Sequence, residues 1–162
     1  MLPVRRSPSL SSGPVADEPL PLRCLCATVR RAARLLTRRY EDALRPGGVS
    51  VPQFELMMTL RALTTTGAVN QSKLAQVLET DQTTLSRNLK LLLRQRWIET
   101  AKDSNDARSR GYRLTTLGLA IMEDAQRCWR QAHEETERLL GSPVAELWPL
   151  FDSILGAERK VA

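Results

Sequence analysis

Apolar positions recur at helical spacing from Leu22 onward. Leu25, Val29, Ala32, Leu36, Tyr40 and Ala43 fall on one stripe, the repeat of an amphipathic helix, and Pro46-Gly47-Gly48 ends it. Ser50 opens a second helix, with Gln53 three residues on to complete a capping box; its apolar face holds Phe54, Met57, Met58 and Leu60. After a turn at residues 64–67, Asn70 is a good N-cap for a short helix through Leu74, Ala75, Val77 and Leu78. Thr80 and Asp81 break that helix and cap the next, whose inward face is Leu85, Leu89, Leu92 and Leu93. The period then changes. Trp97-Ile98-Glu99-Thr100 and Gly111-Tyr112-Arg113-Leu114 read as short strands around the turn-rich Asp103-Ser104-Asn105-Asp106. Two helices close the chain, one through Leu117, Ile121, Ala125, Cys128 and Ala132. The other starts at Ser142-Pro143 and runs through Val144, Leu147, Phe151, Ile154 and Leu155.

A short helix, a turn of a few residues and a second helix is the spacing of a helix-turn-helix, though an ordinary helical hairpin shares it. The two-stranded hairpin that follows at once, with arginines at its tip, reads as a wing. The expected fold class is therefore mainly α with a small β-hairpin: a winged helix-turn-helix domain plus terminal dimerisation helices. The terminal stripes are near-heptad and suited to packing on another helix. They lie at opposite ends of the sequence around a reader too compact to cover them all, so they are expected to bury against a second copy rather than within one monomer. Residues 1–21, rich in Ser and Pro, predict a flexible tail. The domain proper spans 22–162, with the DNA-binding winged helix at about 50–115 and dimerisation helices at about 22–46 and 116–160.

Charge sharpens this picture. The 162-residue chain carries a formal net charge of +6, which favours a polyanionic partner. From Arg87 to Arg113 there are eight Lys/Arg against three acids, a local +5 that nearly accounts for the whole. A solvated charged face is the bland alternative, but such faces mix signs as the rest of this chain does. Other classes fare badly. No apolar run approaches the roughly 20 residues of a membrane span, and residues 1–21 lack the apolar stretch of a signal peptide. Cys24, Cys26 and Cys128 are too few for a disulfide framework, so a reducing, cytoplasmic location is expected. His133 is the only histidine and Cys24-x-Cys26 lacks a second ligand pair, so neither metal nor cofactor is expected. There is no phosphate-cradling glycine loop and no Ser/His/Asp spacing, hence no catalytic residue and no enzyme. His133 itself reads as a surface residue on a charged helix.

Residues 81–118 carry a family resemblance. The run Asp81-Gln82-Thr83-Thr84-Leu85-Ser86-Arg87-Asn88-Leu89 is similar to the recognition helix of the MarR family. Asn105-Asp106-Ala107-Arg108, followed by Leu114-Thr115-Thr116-Leu117-Gly118, matches that family's wing signature of Asp, Arg two later, then Leu-Thr-x-x-Gly. The resemblance implies a homodimeric repressor with one reader per subunit, often released when a small molecule or oxidant reaches the crevice between dimer helices and reader. Its partners would be double-stranded DNA with a near-palindromic operator, a second copy of itself, and the effector, with no membrane. A protein of another class, an architectural one that binds DNA without reading it, needs only charge. The Thr-, Ser- and Gln-rich start of the reading helix favours the regulator.

On that helix Thr83, Arg87, Lys90 and Arg94 lie opposite the leucines, on the face a major groove would meet. Side chains near its start reach base edges, so Gln82, Thr83, Thr84, Ser86 and Arg87 are the reading candidates. Arg87 leads, because a guanidinium bonds O6 and N7 of guanine together. Lys90 and Arg94 are placed to hold phosphates, as are Gln71 and Ser72 at the start of the preceding helix. At the wing Arg108 would enter an A·T-rich minor groove and Arg110 would bind phosphate. By resemblance Asp106 braces Arg108; the alternative is a plain turn residue. Gly118, in a helix's first turn, implies close helix packing. The family's organic-peroxide sensors carry a reactive cysteine early in the first helix, and Cys26 aligns with it, Thr37 and Tyr40 following at the matching offsets. The other two tyrosine positions are Arg30 and Val51 here, a departure that weakens the thiol reading. Buried, inert cysteine is the more frequent outcome.

Overall fold

The computed structural model describes residues 24–64, 67–102, 110–141 and 143–158. The expected tail at 1–21 and the wing tip, including Asp106 and Arg108, lie outside them. The chain divides into two units, Met1–Leu36 and Thr37–Ala162. Of the first, residues 24–36 are described, and all of them are exposed.

Helix α1 (Leu25–Leu44) ends in a 3-10 turn, Arg45–Gly47, closed by Gly48 at φ +67°. Helix α2 (Val51–Leu63) begins with the expected capping box: Ser50 Oγ accepts from the Gln53 N–H at 3.4 Å, and Gln53 Oε1 accepts from the Ser50 N–H at 2.9 Å. Strand β1 (Val69–Asn70) leads into α3 (Gln71–Leu78), and α4 (Gln82–Arg94) follows after three residues. Asn70 and Asp81 are their N-caps, each accepting an N–H three residues on. Strands β2 (Ile98–Lys102) and β3 (Arg110–Leu114) precede α5 (Thr116–Leu140), a 3-10 turn at Val144–Leu147, and α6 (Trp148–Glu158).

The sheet holds three antiparallel strands in the order β1-β3-β2 rather than the expected hairpin of two. Glu99 faces Arg113 across β2 and β3, and Val69 faces Tyr112 across β1 and β3. Strand β1 is two residues long, too short for any alternation to show. Gly111 admits it: a Cβ there would lie 2.7 Å from the Ala68 Cβ and 2.9 Å from the Val69 nitrogen, so only glycine lets the strands approach.

The core gathers Met57 and Leu60 from α2, Leu74 from α3, Leu85, Leu89 and Leu92 from α4, Ile98 from β2 and Met122 from α5, all essentially inaccessible. Each such side chain is worth about 1.5–3 kcal/mol relative to exposure, which makes these leucines the anchor of the reading helix. Four expected inward positions of α2, α3 and α4 sit further out: Met58, Leu78 and Leu93 are half-buried and Val77 is exposed. The expectation that the α5 stripe needs a second copy for burial is corrected in part. Ala125 and Ala132 are buried and Cys128 half-buried within this one chain, and α5 packs on α2. What stays open is Leu117, Leu119, Leu139 and Leu140 on α5, Trp148, Leu150, Phe151 and Ile154 on α6, and Leu25, Val29, Leu35 and Leu36 on α1.

Gly118 is required for a reason other than helix packing. A Cβ on it would collide with the backbone carbonyl of Trp97, at the turn between α4 and β2. Gly118→Ala should therefore lower unfolding stability by about 1–3 kcal/mol, since the clashing partner is backbone. Gly47→Ala, which would meet nothing within 4 Å, should leave it nearly unchanged. Urea denaturation of the two variants beside the parent decides this; equal midpoints would refute it.

Candidate nucleic-acid interface

The amphipathic split of α4 is sharp. Leu85, Leu89 and Leu92 are buried, whereas Gln82, Thr83, Thr84, Arg87, Lys90 and Arg94 are exposed. Arg87, Lys90 and Arg94 have no ion pair among the described residues, so their charge is not cancelled locally. Ser86 is half-buried and less open than the other reading candidates. The start of the helix is held twice. Asp81 Oδ1 accepts from the Thr84 N–H at 2.8 Å, and Gln71 Nε2 donates to Gln82 Oε1 at 3.1 Å and to the Gln82 carbonyl at 3.5 Å. Gln71 and Gln82, named separately from the sequence, are thus brought together, while Ser72 stands exposed at the start of α3. The hydroxyl of Thr84, then its backbone N–H, hold the Asp81 carboxyl below its ordinary value of 3.8.

At the base of the wing one cation is already paired. Arg113 is held by Glu99, with Nη2 and Nε at 2.6 and 2.7 Å from one carboxylate oxygen. Arg110 opens β3 opposite Lys102. Arg96 stands exposed just beyond the end of α4. Among the described residues no cluster of three or more His, Cys, Asp or Glu is arranged to hold a metal, and no helix is long and apolar enough to cross a membrane.

The residues tied to the peroxide alternative are differently placed. Cys24 and Cys26 are exposed, not buried, and Cys128 is half-buried; all three are free thiols. The Tyr40 hydroxyl lies 3.0 Å from His133 Nδ1. His133 is accordingly not a plain surface residue: it is half-buried, stacks on Trp129 at 4.7 Å and sits 3.9 Å from Glu137. A lone histidine in a charged stretch gave no sign of this in sequence, because its partner is 93 residues away.

Sequence reasoning also missed a cavity of about 410 Å3, lined by Tyr40, Phe54, Met58 and Trp129 with Glu55 and Thr59 as its polar groups. Tyr40 and Phe54 both lie just over 6 Å from the Trp129 ring, which forms an aromatic wall. The only advance signal was Tyr40 on the first stripe and Phe54 on the second; nothing local linked either to Trp129.

Comparison with known proteins agrees with this geometry. Residues 48–109 match a model of the MarR family. The chain is 32% identical over 147 residues to the multiple antibiotic resistance protein MarR of Salmonella typhimurium, covering 90% of this chain and 98% of that protein. Among solved structures it is similar to the M. tuberculosis transcriptional regulator MosR in complex with DNA, at 30% identity and a TM-score of 0.70, covering 84% of this chain and 97% of that one. A mutant MarR from E. coli complexed with operator DNA superposes with a TM-score of 0.73 over 85% of this chain and 99% of that one. At 24% identity that likeness bears on the fold alone.

The Asp81 cap carries a pH signature. A carboxyl depressed in the folded state contributes stability that is present above its unfolded pKa and lost as pH falls through the folded one. The contribution should be intact near neutrality and fade below about pH 4. Asp81→Asn keeps a capping oxygen but cannot titrate. Its urea midpoint should match the parent's less closely at neutral pH and converge on it as pH falls to about 3; a constant difference from neutral pH to acid would contradict the assignment.

Proposed function

The chain belongs to the MarR family, and from that premise we propose that it is a DNA-binding transcription regulator, a homodimeric repressor released from its operator by a small-molecule effector. It is not an enzyme, as its family is one of transcriptional regulators. The observation that carries the reading is the outward face of α4: three uncancelled cations and a row of small polar side chains at its start, over a leucine face that fixes the helix in the reader. That is the arrangement a major groove takes, with base-reading groups near the helix start and cations further on. The DNA complex of MosR, 30% identical, supports the same partner.

In this reading Arg87 recognises guanine bidentately, with Gln82, Thr83, Thr84 and the less open Ser86 beside it. Lys90 and Arg94, Gln71 and Ser72, and Arg110 hold phosphates, and Arg108, braced by Asp106, enters the minor groove. The domain at 22–162 divides into the reader at about 50–115 and dimerisation helices on either side. The open apolar side chains of α1, of the end of α5 and of α6 support a second copy, because surface of this kind seldom stays in water. The aromatic cavity supports an effector site. The thiol alternative at Cys26 gains nothing over this reading, since the hydroxyl of Tyr40 that it calls on already bonds His133.

Two experiments test it. Arg87→Ala should cost about 1–3 kcal/mol on the specific site and relax preference at one or two base pairs. Lys90→Ala should weaken specific and scrambled duplexes alike and flatten the salt dependence, because fewer counterions are released. Binding of each variant to both duplexes across a salt series separates a reader from an architectural protein. If Arg87→Ala lowered both affinities equally, α4 would not be reading sequence. Deleting residues 142–162 should yield monomer or aggregate by light scattering; a well-folded dimer of unchanged stability would rule out the terminal-helix interface.

A further inference from the structure

The cavity beside α2 has a chemistry more particular than an apolar hollow. Its walls are the rings of Tyr40, Phe54 and Trp129 and the thioether of Met58. Among the described residues the lining contains one charged group, the carboxylate of Glu55, and no Lys or Arg. Glu55 has neither an ion pair nor a hydrogen bond among the described residues. Glu55 is exposed as a residue, yet partial burial holds its carboxyl above the ordinary range. A second carboxylate stands one bond away: Glu41 Oε1 accepts from the N–H of Val51, itself a lining residue, at 3.0 Å.

Resting on the effector-responsive reading above, we propose that this cavity selects an aromatic compound that carries a cationic group, with Glu55 as the counter-ion that sets the preference. Three features act together. The rings supply apolar area and attract a cation through their faces. The unpaired carboxylate gains the partner that its partial desolvation leaves it short of. An anionic ligand of the same shape would bring a like charge toward Glu55 with no basic side chain in the lining to offset it. The volume, about 410 Å3, lies in the range of small-molecule sites, so a two-ring compound enters without unpacking the core.

Glu55 is a specificity group and not part of the fold's interior, so it is open to substitution. The test is calorimetric titration of the full chain, without DNA, with three biphenyl compounds of matched shape: biphenylmethylammonium, biphenylmethanol and biphenylacetate. The ammonium compound should bind about tenfold tighter than the carboxylate, on the scale of a partly desolvated charge pair with an aromatic wall. Glu55→Gln should weaken the ammonium compound by about two- to fivefold and leave the neutral alcohol unchanged. Glu55→Lys should invert the order and favour the carboxylate. Circular dichroism and a thermal melt check that both variants stay folded. The proposal is overturned if biphenylacetate binds the parent as tightly as the ammonium compound, if Glu55→Gln leaves the ammonium affinity unmoved, or if none of the three binds at millimolar concentration. A parallel assay of operator binding keeps the two readings apart. An ammonium compound that binds as expected without releasing DNA upholds the site and overturns only effector release. A ligand-free protein with no preference for any DNA site overturns the regulator reading and leaves the titrations standing.

Discussion

The backbone carbonyl of Trp97 is the point at which the reading helix, the sheet and the long helix α5 are tied together. Helix α4 ends with the Trp97 N–H on the Leu92 carbonyl and the Arg96 N–H on the Leu93 carbonyl, both at 3.0 Å, and Arg96 at φ 57°. This is the paired closure that usually places glycine at the left-handed position. The Thr115 N–H then donates to the Trp97 carbonyl at 3.0 Å, and its hydroxyl donates to the Arg96 carbonyl at 2.7 Å. The same hydroxyl oxygen accepts from the Gly118 N–H at 3.0 Å and so caps α5. Glycine at 118 lets the carbonyl come this close. The Leu-Thr-x-x-Gly run is therefore a physical joint, not only a signature. Its hydrogen bonds hold the direction of α5 relative to α4.

Around that joint apolar burial decides position and charge decides what the position is for. Three buried leucines of α4 contribute several kcal/mol together, whereas an exposed pair such as Glu99–Arg113 contributes about 0.2–1 kcal/mol. The reading helix would hold its place without any of the salt bridges. Cations on its outer face are consequently free to be used on a partner. The pairing of Arg113 does change the surface, by withdrawing one cation of β3 from other partners.

The aromatic group of Tyr40, Phe54, Trp129 and His133 couples this reader to the helices at either end of its sequence. Phe54 belongs at once to the buried core and to the cavity wall, and Trp129 packs against that same core from α5. Anything that enters the cavity meets side chains whose other faces position α2. In a close-packed interior such contacts shift as a set and do not yield one at a time, which is the physical basis on which occupancy at Trp129 would be felt in the reader.

The linear chain by itself determined every feature that rests on neighbouring residues. The capping box at Ser50 and Gln53, the N-caps Asn70 and Asp81, the leucine period of α4 and the break at Pro46-Gly47-Gly48 are local devices, satisfied within a turn or two. The outward cations of α4 follow from the same period. Tertiary structure decided whatever joins distant segments. Strand β1 exists only because Gly111 lets β3 approach Ala68. Ala125 and Ala132 are buried within one chain, although their spacing alone suited a second copy equally well. His133 finds Tyr40 across 93 residues, and the cavity joins α1, α2 and α5. Periodicity states which face of a helix is apolar; it does not state which surface covers that face, because any apolar partner lowers the free energy by a similar amount per unit of area.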